Sequence, residues 1–135
     1  MESFETSCFG IITYVGTARS YFINAVQCAK KGNFEEAQEL IRQGDQAFTE
    51  GHHIHADLLA LDANGELNQS GLILMHAEDQ LMSAETFRIM AEEFIEVYKN
   101  CLKLRNDTHL KKILSIKADE VAIIMLGTLT DICRL

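Results

Sequence analysis

Apolar residues recur every three or four positions through most of this chain, and short polar clusters separate the runs. That period predicts helices throughout. The first runs from about Glu2 to Lys31, with Phe4, Ile11, Ile12, Val15, Ala18, Phe22, Ala25 and Cys28 on such steps. Gly10 and Gly16 lie inside it. A helical glycine costs roughly 1 kcal/mol against alanine, so a close approach by a neighbouring helix, or a bend, is expected there. Lys30-Lys31-Gly32-Asn33 reads as a stop and restart: cations in the last turn, glycine past the end, then Asn33 as N-cap with Glu36 completing a capping box.

The second helix then extends to about Asp62, with an inner stripe of Phe34, Ala37, Leu40, Ile41, Ala47, Phe48, Ile54, Leu58 and Leu59. Ala63-Asn64-Gly65-Glu66 forms a turn, and Ser70 is placed to cap the next helix. That third helix, about Gly71 to Leu104, has the most regular pattern. Ile73, Ala77, Gln80, Ala84, Phe87, Ala91, Phe94, Tyr98 and Cys101 follow steps of three and four, a heptad seam with one polar member. Glu92, Glu93 and Glu96 read as a solvated face. After Arg105-Asn106-Asp107-Thr108 a last helix is expected from about His109 to Thr130. Its Leu110, Ile113, Leu114, Val121, Ile124, Met125 and Ile132 make one apolar face, and Ile116 and Ile123 fall outside it, so contact on two sides, within the fold or by another subunit, is expected.

Composition narrows this to one all-α domain of 135 residues, without proline and 47% hydrophobic. A net charge of −8 and the lack of clustered Lys and Arg argue against nucleic-acid binding. Cys8, Cys28, Cys101 and Cys133 show no CxxC spacing, and the N-terminus does not read as a secretory signal, so reduced, mostly buried thiols in the cytoplasm are expected. The longest uncharged apolar run, Val121 to Leu129, is about half of what a bilayer crossing needs, so no membrane insertion is expected.

Candidate chemistry concentrates in Gly71-Leu-Ile-Leu-Met-His-Ala-Glu-Asp-Gln-Leu-Met82. On a helix, Asp79 and Gln80 flank His76 one turn later. A neutral imidazole there has a nitrogen free to attack or bind, and the carboxylate and amide can orient it, hold a metal or hydrogen-bond a group placed on it. The same spacing also suits a polar layer in a packed seam. A second group, Gly51-His-His-Ile-His55, places His52 and His55 on one face, but two imidazoles without a third ligand are weak support for a metal site.

With these helices in place, residues 4 to about 102 resemble the lactose/cellobiose-specific enzyme IIA family of the bacterial sugar phosphotransferase system. The matching pieces are Gly16-Thr-Ala-Arg-Ser20, Gly32-Asn-Phe-Glu-Glu-Ala37, Glu50-Gly-His52, Met75-His-Ala-Glu-Asp-Gln-Leu-Met82 and Glu93-Phe-Ile-Glu-Val-Tyr-Lys99, in the family's order and spacing. The resemblance implies an antiparallel three-helix subunit, residues 1–103, that forms a homotrimer, with residues 104–135 as a helical extension without a motif. It implies that His76 accepts a phosphoryl group from phospho-HPr and passes it to enzyme IIB, which phosphorylates a β-linked sugar entering through the membrane component IIC. It further implies that Asp79 from three subunits gathers around one magnesium ion on the three-fold axis.

Two positions depart from the family pattern. A second histidine is usual where this chain has Gln80, and a glutamine where it has His55. If these face each other across helices or subunits, the same pair of groups is kept with its owners exchanged, and Gln80 and His55 join His76 in the site. Two other classes of answer compete: a non-catalytic helical oligomer serving as scaffold or regulator, and a helical-bundle metalloprotein using His52 to His55 and His76. The latter lacks the paired Glu-x-x-His motifs such bundles use.

Overall fold

The computed structural model describes residues 3–107, 111, 112 and 115. It contains three helices, α1 (Phe4–Lys30), α2 (Phe34–Ala63) and α3 (Leu72–Asn106), and no strand occurs among the described residues. The chain divides into two units, Met1–Lys99 and Asn100–Leu135, and the candidate site lies in the first. The last helix expected from the sequence falls largely outside the described residues. No helix among the described residues is long and apolar enough to cross a membrane.

Alternating steps of three and four bury Cys8, Ile11, Val15, Ala18, Phe22, Ala25 and Ala29 along α1. That is the spacing of a coiled-coil seam. Two clusters fix the helix directions. One joins Ala25 and Ala29 at the end of α1 to Ala37 and Ile41 at the start of α2 and to Ala91 and Ile95 in the later part of α3. The other joins Cys8, Ile11 and Val15 to Leu58, near the end of α2, and to Ala77, Leu81 and Ala84, early in α3. Hence α2 runs antiparallel to both of its neighbours. Full burial of Phe22, Ile11 and Ile95 contributes roughly 1.5–3 kcal/mol each relative to exposure.

Both connections after α1 and α2 close in the same way. Gly32 and Gly65 have φ of 88° and 71°, the left-handed region that glycine adopts without penalty. The N–H of Gly32 then bonds Ala29 O at 2.9 Å and that of Asn33 bonds Cys28 O at 3.0 Å; Gly65 and Glu66 repeat the pattern onto Asp62 and Leu61. Asn33 does occupy the N-cap of α2, but its side chain accepts no capping bond and instead donates from Nδ2 to Glu36 Oε2 at 3.3 Å. At α3, Gly71 rather than Ser70 supplies the first helical carbonyl, to Met75 N–H.

Close approach occurs at Gly10, as expected, where an added Cβ would lie 2.9 Å from Ile54 Cδ1 of α2, and also at two glycines of α2. A Cβ added to Gly51 would lie 2.8 Å from Val15 Cγ1, and one added to Gly44 would enter the Phe22 ring. Around Gly16, by contrast, a Cβ would meet no atom within 4 Å.

The third helix faces the core one position away from the expected seam. Its buried residues are Ala77, Leu81, Ala84, Ala91 and Ile95, while Phe87 and Phe94 are exposed and Gln80 is half-buried. The alanines are common to both phases; the branched Leu81 and Ile95 settle the packing. Arg88 completes this inner register, and its guanidinium grips Asp45 of α2, with Nε 2.6 Å from Oδ1 and Nη2 3.3 Å from Oδ2. Of the thiols, Cys8 is buried, Cys28 half-buried and Cys101 exposed, so the expectation of mostly buried cysteines holds only for Cys8; Cys133 lies outside the described residues.

Candidate functional site

His76 stands on the first turns of α3, next to the buried Ala77, and is exposed along with Asp79. Its side chain bonds to no described residue. A helix advances about 100° per residue, so with Ala77 pointing inward His76 lies on one flank and Glu78 on the other. Ser83, seven residues on, shares the flank of His76 and accepts a hydrogen bond from Arg19 Nη1 of α1 at 3.3 Å. The His76 flank therefore borders α1.

The opposite flank borders α2. There His55 Nε2 approaches Glu78 Oε1 to 3.0 Å; the histidine side chain is 14% exposed and the glutamate 37%. The ring of His52 stacks edgewise on His55 with centroids 5.8 Å apart, and Phe48 lies against His52 at 5.5 Å. A cavity of about 410 Å³ opens beside the pair, bounded by Asp62, Asn68 and Ser70 as well as by Leu58 and Leu74. His52 and His55 thus share a face as their spacing requires, but among the described residues no three His, Cys, Asp or Glu side chains converge as a metal site.

Between the two flanks, the outward face of α3 is apolar and uncovered. Leu72 is 81% exposed, Met75 and Met82 are 65%, and Ile89, Met90 and Val97 continue the face. Asp79 sits near its midline, where the helical repeat also places Thr86 and Glu93. Such a stripe, mostly apolar with the Asp79 and Glu93 carboxylates along it, is the composition of a surface that meets another protein.

The structure keeps His76, Asp79 and Gln80 on adjacent turns of one helix and leaves His55 apart from them. Within the chain the polar neighbour of His55 is Glu78, and no hydrogen bond joins His55 to Gln80 among the described residues. Glu78 escaped the sequence reading because its partner stands on another helix; its only local signal is a carboxylate two residues beyond the histidine.

Comparison with known proteins supplies the context for this arrangement. The family described as "PTS system, Lactose/Cellobiose specific IIA subunit" matches residues 6–99. The chain is 35% identical over 104 residues to the lichenan-specific phosphotransferase enzyme IIA component of Bacillus subtilis, covering 77% of this chain and 94% of that protein. It is 33% identical over 91 residues to the lactose-specific EIIA component of Streptococcus mutans, with 67% and 88% covered. The crystal structure of the cellobiose-specific enzyme IIA from Bacillus anthracis superposes with a TM-score of 0.72 at 36% identity, over 76% of this chain and 95% of that one. The chitobiose IIA in its solution complex with HPr, from Escherichia coli, gives 0.66 at 31% identity, over 75% and 98%.

Proposed function

Because the chain belongs to the lactose/cellobiose-specific IIA family of the phosphotransferase system, we propose that His76 is its phosphoryl carrier, charged by phospho-HPr and discharged to a cognate enzyme IIB during uptake of a β-linked disaccharide. The observation that carries this reading is the exposed His76 imidazole on an apolar helix face, with Asp79 and Gln80 one turn away. HPr as donor is supported by the related chitobiose IIA, whose structure is a complex with HPr.

The chemistry follows from that placement. A phosphoryl group passes through a loose transition state, so the protein has mainly to position donor and acceptor and balance charge. One His76 nitrogen attacks phosphorus as the P–N bond to the donor imidazole breaks, and the electron pair of that bond stays on the donor ring. The Gln80 amide donates to the phosphoryl oxygens. Leu72, Met75 and Met82 shield the phosphohistidine from water once they are covered.

The uncovered face of α3 supports a homotrimer packed about it, with the Asp79 carboxylates near the axis. At the level of Asp79 one subunit offers a single carboxylate on this face, and no complete metal site occurs among its described residues, so a three-carboxylate site there needs assembly. Three oxygen donors suit a hard cation such as magnesium, which would neutralise carboxylates that otherwise repel.

Incubation with enzyme I, HPr and labelled phosphoenolpyruvate tests the assignment. Acid-labile label is expected on His76 and is expected to move on to an enzyme IIB. His76→Ala should abolish uptake while keeping the helical content and assembly of the unaltered protein. Label on another residue removes His76 from this role. No label, from partners that phosphorylate an ordinary family member, favours the scaffold reading.

A further inference from the structure

Resting on the phosphocarrier reading, we propose that Arg19 guides the phosphoryl donor to His76: its fixed positive charge draws the incoming phosphoryl dianion into a part of the bundle that is otherwise acidic. The sequence sets up the imbalance. No Lys or Arg stands before Arg19, and none stands between Gln43 and Phe87. Those two stretches supply the half of the bundle that carries His76, where early α1, late α2 and early α3 meet around Ile11, Leu58 and Leu81. They hold Glu5, Glu50, Asp57, Asp62, Glu78 and Asp79. A group with two negative charges must cross that field to reach His76.

Arg19 is placed to offset it. Its guanidinium crosses from α1 to the His76 flank of α3, where Nη1 donates to Ser83 Oγ at 3.3 Å. Ser83 lies seven residues beyond His76, about 10 Å of helical rise. Arg88, the first cation along α3 itself, is about 18 Å beyond His76 and is bound to Asp45. Arg19 has no such counter-ion. It is half-buried, yet no carboxylate lies within ion-pair distance of it among the described residues, and its described side-chain bond is to a neutral hydroxyl. A guanidinium with unpaired donors at the edge of a groove is open to an anion from outside. The groove beside it is open as well. Gly16 precedes Arg19 by one turn on the same stripe of α1, on the side of His76, and a Cβ there would meet no atom within 4 Å.

The action is electrostatic and at a distance. Arg19 neither gives nor takes a proton and leaves the bonds made and broken at phosphorus as given above. It is a guiding residue, not a catalytic one. A single charge about 10 Å from a dianion changes the encounter by roughly 3- to 10-fold at low salt, and by little once salt shortens the screening length to a few Å.

Uptake of label from phospho-HPr, followed over a range of donor concentrations in about 0.01 M and about 1 M salt, tests this. The donor is one shown to charge an ordinary family member. In low salt, Arg19→Gln should raise the donor concentration giving half the limiting rate about 3- to 10-fold and leave the limiting rate within about twofold. In high salt it should match the unaltered protein. Arg19→Lys, which keeps the charge, and Ser83→Ala, which removes only the hydroxyl partner, should both transfer at close to the unaltered rate. Gly16→Lys puts a second cation into the open groove nearer His76 and should lower the half-limiting donor concentration in low salt. In the Arg19→Gln background it should restore that concentration, which a purely structural tie between α1 and α3 would not allow. Should Arg19→Gln fail to fold, Gly16→Lys in the otherwise unaltered chain decides the matter. The proposal is overturned by an Arg19→Gln protein that needs no more donor in low salt, by a deficit that persists in high salt, by Arg19→Lys or Ser83→Ala as slow as Arg19→Gln, or by Gly16→Lys without gain. An unaltered protein that takes up no label, or takes it up elsewhere than on His76, overturns the phosphocarrier reading first and leaves Arg19 nothing to guide.

Discussion

Cys8 is surrounded by packed side chains, and burial first, then the nearby Glu5 and Glu78 carboxylates, pushes its thiol above the ordinary value of 9.0. The folded protein therefore holds this proton more tightly than the unfolded chain does. Its contribution to stability is complete below pH 9 and fades as the pH rises through the folded value. Cys101, by contrast, is exposed. A maleimide at neutral pH should label Cys101 first and reach Cys8 only on denaturation, as peptide mass spectrometry would show; equal rates would contradict the burial. Comparing Cys8→Ala with the unaltered protein in denaturant melts above pH 9 should show a shallower alkaline loss of stability in the variant. At this scale the sequence was legible where chemistry is local. His76, Asp79 and Gln80 stand together because a helix brings neighbours three and four apart into contact, whereas Glu78 gained its meaning only from a partner on α2.

Among the helices, Gly10 of α1 and Gly44 and Gly51 of α2 lie at close approaches, whereas Gly16 does not. Gly51→Ala places a methyl group against Val15. Overpacking costs about 1–3 kcal/mol, and the better helix propensity of alanine returns about 1 kcal/mol, so a net loss of up to about 2 kcal/mol is expected. Gly16→Ala meets open space and should gain up to about 1 kcal/mol. Thermal melts of the two variants should move in opposite directions, by roughly 4–8 °C per kcal/mol; a common direction would count against this account of the interface. The order of the three described helices and most of their boundaries could be read from the chain because caps and left-handed glycines are local signals. The phase of α3 could not. Ala77, Ala84 and Ala91 fit two registers equally well, and the choice depends on where Leu81, Arg88 and Ile95 find their partners on α1 and α2.

For the molecule as an assembly, the uncovered face of α3 governs behaviour. Replacing Asp79 with leucine removes carboxylate repulsion and adds apolar surface at the proposed axis. Asp79→Leu should therefore leave the trimer intact or strengthen it. Light scattering across a dilution series checks this, and dissociation at concentrations where the unaltered protein stays assembled would contradict it. Because α3 serves an interior with one register and a proposed partner with another, its length is constrained in whole heptads. A single inserted residue after His76 would turn everything beyond it by about 100°, carrying Leu81 and Ile95 out of the core and exposed positions into it. Seven inserted residues would leave both registers in phase. Among lineages of this protein, substitutions in α3 should thus accumulate freely at its solvated glutamates, while insertions and deletions gather in the connection between residues 64 and 71.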